Sequence, residues 1–379
     1  MNILLTALQP AGGIKTFFRY VYSQPCFEGY SFTLIAPDSG LSTYIYDVLP
    51  PGRITVIPAN EGKLAFIKQV RKEAENCRFS IVHSHGFSAG ALTGVALIGR
   101  RIPHLMTAHD VFLEAQFEGV VGYLKRWALS MSFSSLSAIH AVTKDARENF
   151  LSFFPSVPEE RVVGILHGVD TKFFNDGIPR ELKGELGLDQ NTPLIGFFGR
   201  FMGQKGFRTL VDSLEELRKD SALSVVPHVA TFGWGGFIRE DYEYLRQKGL
   251  GDYFHQMPQT DDMPAAIKGV DLVVMPSRWE ACGLLAMETL AAGTPIIGTN
   301  CIGLKEVLEG SPSRQVPVGD ASALAEAIIH ECNNLVARRE EFTDYVPVAV
   351  ERFSIHRPAQ SLRALYDSML SSRSQSHVS

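Results

Sequence analysis

Cysteine is scarce in this chain of 379 residues, at five scattered positions, Cys26, Cys77, Cys282, Cys301 and Cys332. An odd number without metal-ligand spacing excludes a disulfide framework and reads as reduced thiols in a cytosolic protein. Nowhere do eighteen apolar residues run together, which excludes a spanning helix at the level of sequence. Residues 1–8 lack the basic stretch of a signal peptide, and Gln9-Pro10 cuts the first apolar run short. A basic excess is missing too. The formal net charge of -5 argues against a general nucleic-acid binder, so no nucleic-acid partner is expected. No unit of 20–50 residues repeats, and low complexity is confined to the polar tail 371–379, expected to be disordered. The expected location is cytoplasmic.

Several site signatures are also missing. No G-x-G-x-x-G follows the first apolar run, which argues against a dehydrogenase. Gln9-Pro10-Ala11-Gly12-Gly13-Ile14-Lys15-Thr16 fails the P-loop pattern, because Ile14 and not glycine precedes Lys15 and no glycine stands before Gly12. A helix-capping turn with a row of N–H groups describes it better. The histidines form neither H-x-x-x-H nor H-E-x-x-H. No D-x-D stands in a metal-binding context, and Asp261-Asp262 read as a helix cap. Neither a metal nor another cofactor is therefore expected.

What is present is an ordinary globular composition, 45% hydrophobic and 20% charged, in a chain too long for one core. Short apolar runs alternate with longer helical patterns, the mark of a parallel sheet with crossover helices. Strands are expected near 3–7, 32–36, 54–58, 81–84, 104–108, 138–142 and 163–166. A second set falls near 194–199, 226–232, 253–257, 272–276, 295–298 and 315–318. Each set suffices for its own Rossmann-like sheet. The polar stretch 175–191, with Gly177, Pro179 and Gly184, places the boundary after residue 174. A break at 353–358 precedes a last amphipathic helix that would pack back on the first domain. The expected division is therefore 1–174 with 357–371, and 175–356.

The sharpest motif is Ser277-Arg-Trp-Glu280-Ala-Cys-Gly283-Leu-Leu285-Ala-Met-Glu288, where seven residues separate two carboxylates. An apolar strand runs into it and a helix starts inside it, and in α/β sheets that junction is where ligands sit. Unpaired N–H groups at Gly283, Leu284 and Leu285 would favour an anionic or hydroxyl-rich ligand. Cys282 lacks a sequence partner that would mark it as a nucleophile and reads as packing. Gly199-Arg200-Phe-Met-Gly-Gln-Lys205-Gly206 likewise joins a strand to a helix, and its two cations suit a diphosphate.

Histidines stand at strand ends: His83 and His85, His109, and His167. For any single one a satisfied structural role is the default reading. His109, between a strand and the loop that begins at Asp110, is the exception. Residues 122–133 mix bulky apolar side chains with Lys125, Arg126 and Trp127. They are compatible with resting on a membrane surface, although an amphipathic helix on a domain face explains them more simply.

Arg200 with Lys205, then Glu280 and Glu288, then Ala292-Gly-Thr-Pro295 form an ordered set that resembles the retaining GT-B glycosyltransferases of family GT4. Gly12-Gly13, Val82-His-Ser-His-Gly86, Thr107-Ala-His-Asp110 and His167-Gly-Val-Asp170 fall in the matching order, so the likeness covers most of the chain. It implies an α/β protein of two Rossmann-like domains facing across a cleft, with a nucleotide-sugar donor held by the second. Arg200 and Lys205 would hold the donor diphosphate, with Gly12 and Gly13 approaching it from the first domain. Glu288 would accept hydrogen bonds from the ribose. Glu280 and the amides of Gly283, Leu284 and Leu285 would orient the transferred sugar. Met257 and Pro258 would lie against the base, and His109 would line the reaction centre. The sequence departs from the family pattern at Cys282, in place of Phe, and at His167, in place of Asn. The continuation Ile14-Lys15-Thr16 and the turn Phe232-Gly-Trp-Gly-Gly-Phe237 depart as well.

The implied activity is transfer of a hexose from a UDP- or GDP-linked sugar to a hydroxyl of a glycan, lipid-linked or small-molecule acceptor, without metal. A lipid-linked acceptor would put the protein at the inner face of the membrane. The alternatives are a silent or partner-dependent nucleotide-sugar-binding subunit, or another two-domain enzyme such as a nucleotide-sugar epimerase.

Overall fold

The computed structural model describes residues 1–219 and 223–375. The last four residues of the polar tail lie outside them. Two compact units divide the chain: Met1–Gly168 with the segment from Ile355 onward, and Val169–Ser354.

The first unit carries β1 (Asn2–Ala7), β2 (Ser31–Ala36), β3 (Ile54–Pro58), β4 (Ile81–His85), β5 (His104–Ala108), β6 (Ala138–Ala141) and β7 (Val162–Gly164). They lie in the order β3-β2-β1-β4-β5-β6-β7, all parallel. Near-continuous burial of β1, β4 and β5 is what a sheet covered on both faces requires. The chain runs outward from β1 to β3 and then restarts on the other side at β4, so the order reverses between β1 and β4. The last helix, His356–Gln375, belongs here: Ala359, Leu362 and Tyr366 are buried in the core formed by β1, β2 and the helix Gly13–Val21. Pro358 does not interrupt it, because a proline in the first turn has no intrahelical N–H to lose.

In the second unit, β8 (Leu194–Phe198), β9 (His228–Phe232), β10 (Phe254–Gln256), β11 (Leu272–Met275), β12 (Ile296–Thr299) and β13 (Arg314–Val316) form another parallel sheet. Its order is β10-β9-β8-β11-β12-β13, reversing between β8 and β11. Asp262 caps the helix Met263–Lys268 by accepting from the Ala265 N–H at 3.1 Å, as expected for that acidic pair.

Two expectations need adjustment. Residues 169–174 lie in the second unit and not the first. Val169 N–H donates to Phe353 O at 2.9 Å, and Asp170 caps the helix Thr171–Asp176, which packs on the helices Leu284–Ala291 and Leu335–Arg352. The return to the first unit comes at Ile355, slightly before the expected residue 357.

The helix Gly119–Ser134 is not an ordinary amphipathic helix lying on its apolar face. It packs along Gly122, Arg126, Leu129 and Phe133, a helical stripe in which Arg126 Nε donates to Phe153 O at 2.8 Å. Val120, Val121, Tyr123, Leu124, Trp127 and Met131 are left exposed.

Candidate active site

In the second unit, the loops leaving β8 and β11 meet where the strand order reverses, the position at which open α/β sheets bind ligands. Arg278 N–H donates to Gln204 O at 2.7 Å, and the Gln204 side-chain amide donates to Trp279 O at 2.9 Å. Gly206 has φ 68°, and a Cβ there would collide with the Pro276 carbonyl, so the two loops touch through bare backbone. Stitched together in this way, they bring Lys205 to Glu280: Nζ to Oε1 is 2.6 Å. Ser277 Oγ donates to the same oxygen at 2.7 Å. Glu280 is buried and Lys205 half-buried, so the pair is screened less than a surface ion pair. An ammonium has three donors, and those not given to Glu280 remain for an anion.

Arg200 is exposed just beyond β8 and forms no ion pair among the described residues. The helix Leu284–Ala291 starts at Gly283, whose left-handed backbone (φ 63°, ψ 51°) turns the chain into it. Its first amides and their dipole favour negative charge. Glu288 lies one turn into that helix and is half-buried. Met257 follows edge strand β10, buried, with its N–H on Thr231 O at 3.0 Å, and Pro258 is exposed beyond it. All of these lie at the carboxyl edge of one sheet, and Lys205 and Glu280 are in direct contact. Buried Cys282 and Cys301 lie beside them, and burial raises the Cys301 thiol to about 11.

In the first unit, Gly12 and Gly13 are exposed at the carboxyl end of β1, at that sheet's own reversal. Gly12 caps the helix Gly13–Val21 with φ 55°. Lys15 turns away, its Nζ 4.0 Å over the Tyr44 ring, as a failed P-loop would allow. One face of β4, β5 and β6 carries His83, His85, Thr107 and His140, and Phe17 touches His85, His109, His140 and His167. His109 is partly exposed and joined to His85 (Nε2 to Nδ1, 3.0 Å). Burial keeps these rings neutral: His83, His85 and His109 fall well below 6.5, His140 and His167 to about 4. His104, bonded to Ser84 on the opposite face, falls to about 3. His167 gives Nδ1–H to Gly168 O, and its buried Nε2 has no partner among the described residues. No group of three or more His, Cys, Asp or Glu among the described residues is arranged to hold a metal ion.

Ser277, Gln204 and the histidines' partners Tyr22, Thr107, His140 and Tyr366 were not singled out from sequence. Ser277 stands three residues before Glu280 at the start of the sharpest motif, so its neighbourhood is a signal. Tyr366 lies 283 residues from His83 and carries no local mark.

Two family models match in succession. One, described as Glycosyltransferase Family 4, covers residues 11–173, and one described as Glycosyl transferases group 1 covers residues 192–334. The chain belongs to the group 1 glycosyltransferases of family GT4. Alpha-maltose-1-phosphate synthase of Mycolicibacterium smegmatis is 25% identical over 292 residues, 72% of this chain and 74% of that protein. Phosphatidyl-myo-inositol mannosyltransferase of Mycobacterium leprae is 26% identical over 360 residues, 90% of this chain and 88% of that one. HepE of Anabaena, solved in complex with UDP, superposes with a TM-score of 0.80 at 19% identity, covering 97% of this chain and 100% of that one. This glycosyltransferase therefore has the GT-B fold, built from two parallel-sheet α/β domains. No helix among its described residues is long and apolar enough to cross a membrane.

Proposed function

We propose that this glycosyltransferase moves a hexose from a UDP- or GDP-linked sugar to a hydroxyl acceptor, with retention at the anomeric carbon and without metal. The observation that carries the reading is the Lys205–Glu280 pair at the strand reversal, with Arg200 exposed on the same loop beyond β8. The leaving group is a diphosphate, so negative charge grows on it as the glycosidic bond breaks. Arg200, Lys205 and the amides from Gly283 to Leu285 supply positive potential there, which a divalent metal supplies in other transferases. Glu280 Oε1 takes both Lys205 and Ser277, which draws charge from the carboxylate and weakens it as a nucleophile, so its role is assigned to holding Lys205 and orienting the sugar. The acceptor then attacks from the face that the diphosphate leaves, and the diphosphate takes its proton. Glu288 accepts from the ribose, and the base lies against Met257 and Pro258. Gly12, Gly13 and His109 serve from the first domain.

HepE has been solved with UDP and with UDP-glucose, which makes UDP the first nucleotide to test. Calorimetric titration of UDP and GDP into the wild type and Glu288→Gln tests the donor site. One nucleotide should bind the wild type at least about tenfold more tightly, given the ~1.5 kcal/mol or more of a charged hydrogen bond. Equal affinities for both proteins would sink the ribose assignment. Measurable hydrolysis of the nucleotide sugar by the pure chain would separate an enzyme from a silent or partner-dependent subunit.

The exposed row Val120, Tyr123, Leu124, Trp127 and Met131, with Lys125, favours a lipid-linked acceptor at a membrane surface over a small soluble one. Flotation with anionic vesicles should carry the wild type and lose the double variant Leu124→Ser with Trp127→Ser. Identical flotation of both would rule this out.

A further inference from the structure

The first unit's histidines form a hydrogen-bonded chain whose direction is set at one end. The Ile165 carbonyl can only accept, so His140 gives it Nε2–H at 3.1 Å and, being neutral, keeps a lone pair on Nδ1. The Thr107 hydroxyl donates to that nitrogen at 3.0 Å, which leaves its oxygen to accept from His83 Nε2–H at 2.7 Å. His83 Nδ1 is then a lone pair, and the Tyr366 hydroxyl reaches it at 2.6 Å. Tyr22 Oη lies 3.1 Å from the same nitrogen but only 2.9 Å from His85 Nε2. With His83 already served by Tyr366, the Tyr22 hydroxyl has two acceptors left, His85 Nε2 at 2.9 Å and Tyr366 Oη at 3.4 Å, and the shorter contact assigns it to His85. His85 must then carry its proton on Nδ1 and give it to His109 Nε2 at 3.0 Å. The last ring has one choice left. His109 holds its proton on Nδ1, the nitrogen without a protein partner among the described residues.

We propose that Tyr366, on the C-terminal helix, is a positioning residue that sets the tautomer of His109 through His83, Tyr22 and His85, so that His109 presents an Nδ1–H donor. The device is a two-state relay. Without the Tyr366 hydroxyl, Tyr22 is the remaining donor for His83 Nδ1. Its oxygen then accepts from His85 Nε2–H, His85 Nδ1 becomes a lone pair, and His109 turns its own proton inward on Nε2. The Nδ1 of this partly exposed residue becomes an acceptor. No proton is gained or lost; one hydroxyl decides which end of the imidazole carries it. Burial supports this by holding every ring of the chain in its neutral form, where tautomers matter. It also gives the return of the C-terminal helix a chemical role beyond packing. The consequence for turnover rests on the reading of His109 as lining the sugar-transfer centre, whereas the tautomer itself does not.

The test uses the full nitrogen-labelled chain and proton–nitrogen correlation spectra of the imidazoles, which distinguish a protonated ring nitrogen from a bare one. The His109 signals are those absent from His109→Gln. In the wild type Nδ1 should be protonated and Nε2 bare, and in Tyr366→Phe the two should exchange. With UDP-glucose or GDP-mannose as the donor probe, whichever the wild type turns over, Tyr366→Phe should lower kcat about tenfold or more, with donor KM within about twofold. A wild-type His109 protonated on Nε2 overturns the relay without need of any variant. An unchanged tautomer in a folded Tyr366→Phe overturns it too. Exchange of the signals with unaltered turnover supports the relay and removes His109 from the sugar-transfer centre.

Discussion

Lys205 and Arg200 are both cations beyond the end of β8, yet their surroundings predict different mutants. Lys205 is tied to buried Glu280, whose carboxylate would lose its ion-pair partner and keep the Ser277 hydroxyl in its absence. Lys205→Ala should therefore destabilise the protein by about 1–3 kcal/mol, the range for a polar group left unpaired in a partly buried site. Arg200 is exposed and unpaired among the described residues, so Arg200→Ala should leave stability within about 0.5 kcal/mol of the wild type. Denaturant melts of the two variants check this difference. Equal stabilities would mean that the Lys205–Glu280 pair does not hold the loop in solution. The two glutamates likewise separate by environment: Glu280 is buried in an ion pair and Glu288 is half-buried on the helix face.

Among the elements, the loops that meet at the strand reversal depend on close backbone approach. Gly206→Ala combines a left-handed φ with a collision against the Pro276 carbonyl. It should cost about 2–5 kcal/mol, read as a lowered midpoint of thermal unfolding. An unchanged midpoint would show that the loops are not packed as described. The strands were legible because parallel strands buried on both faces read as short apolar runs, and a strand lies at each expected position. The loop motifs stand out because Arg200 and Glu280 lie in the segments that leave β8 and β11, with Lys205 in the short turn and Glu288 in the helix that follow. What sequence did not show was long-range partnership. Residues 169–174 look like the end of the first domain, but Val169 bonds to Phe353 far along the chain. The helix Gly119–Ser134 looks amphipathic, yet it packs along a stripe holding glycine and arginine and exposes its large apolar residues. The histidine chain closes on Tyr366, which no local pattern ties to His83.

For the molecule as a whole, buried neutral histidines set the response to acid. His104 falls to about 3, and His140 and His167 to about 4, against 6.5 when unfolded. Below pH 6.5 the unfolded chain therefore binds protons that the folded chain refuses. Stability is full above that pH and is lost as pH falls toward 4, where His140 and His167 begin to charge in the folded state. Each of the three contributes a slope of up to about 1.4 kcal/mol per pH unit, or ~4 kcal/mol together well below 6.5. Urea midpoints measured from pH 7.5 to 5 should stay nearly level above about 6.5 and fall progressively below it. A flat profile would mean that the rings are hydrated and not buried.

Turnover of a nucleotide sugar in the presence of EDTA, followed as release of the nucleoside diphosphate by the wild type and by Arg200→Ala, tests the donor site most directly. The wild type should release UDP or GDP with EDTA present. Arg200→Ala, equally stable, should be slower by about 10²-fold or more, the usual loss when one donor to a developing charge is removed. Equal rates for the two proteins, or complete loss of the wild-type rate in EDTA, would contradict a metal-free site in which Arg200 and Lys205 hold the leaving diphosphate.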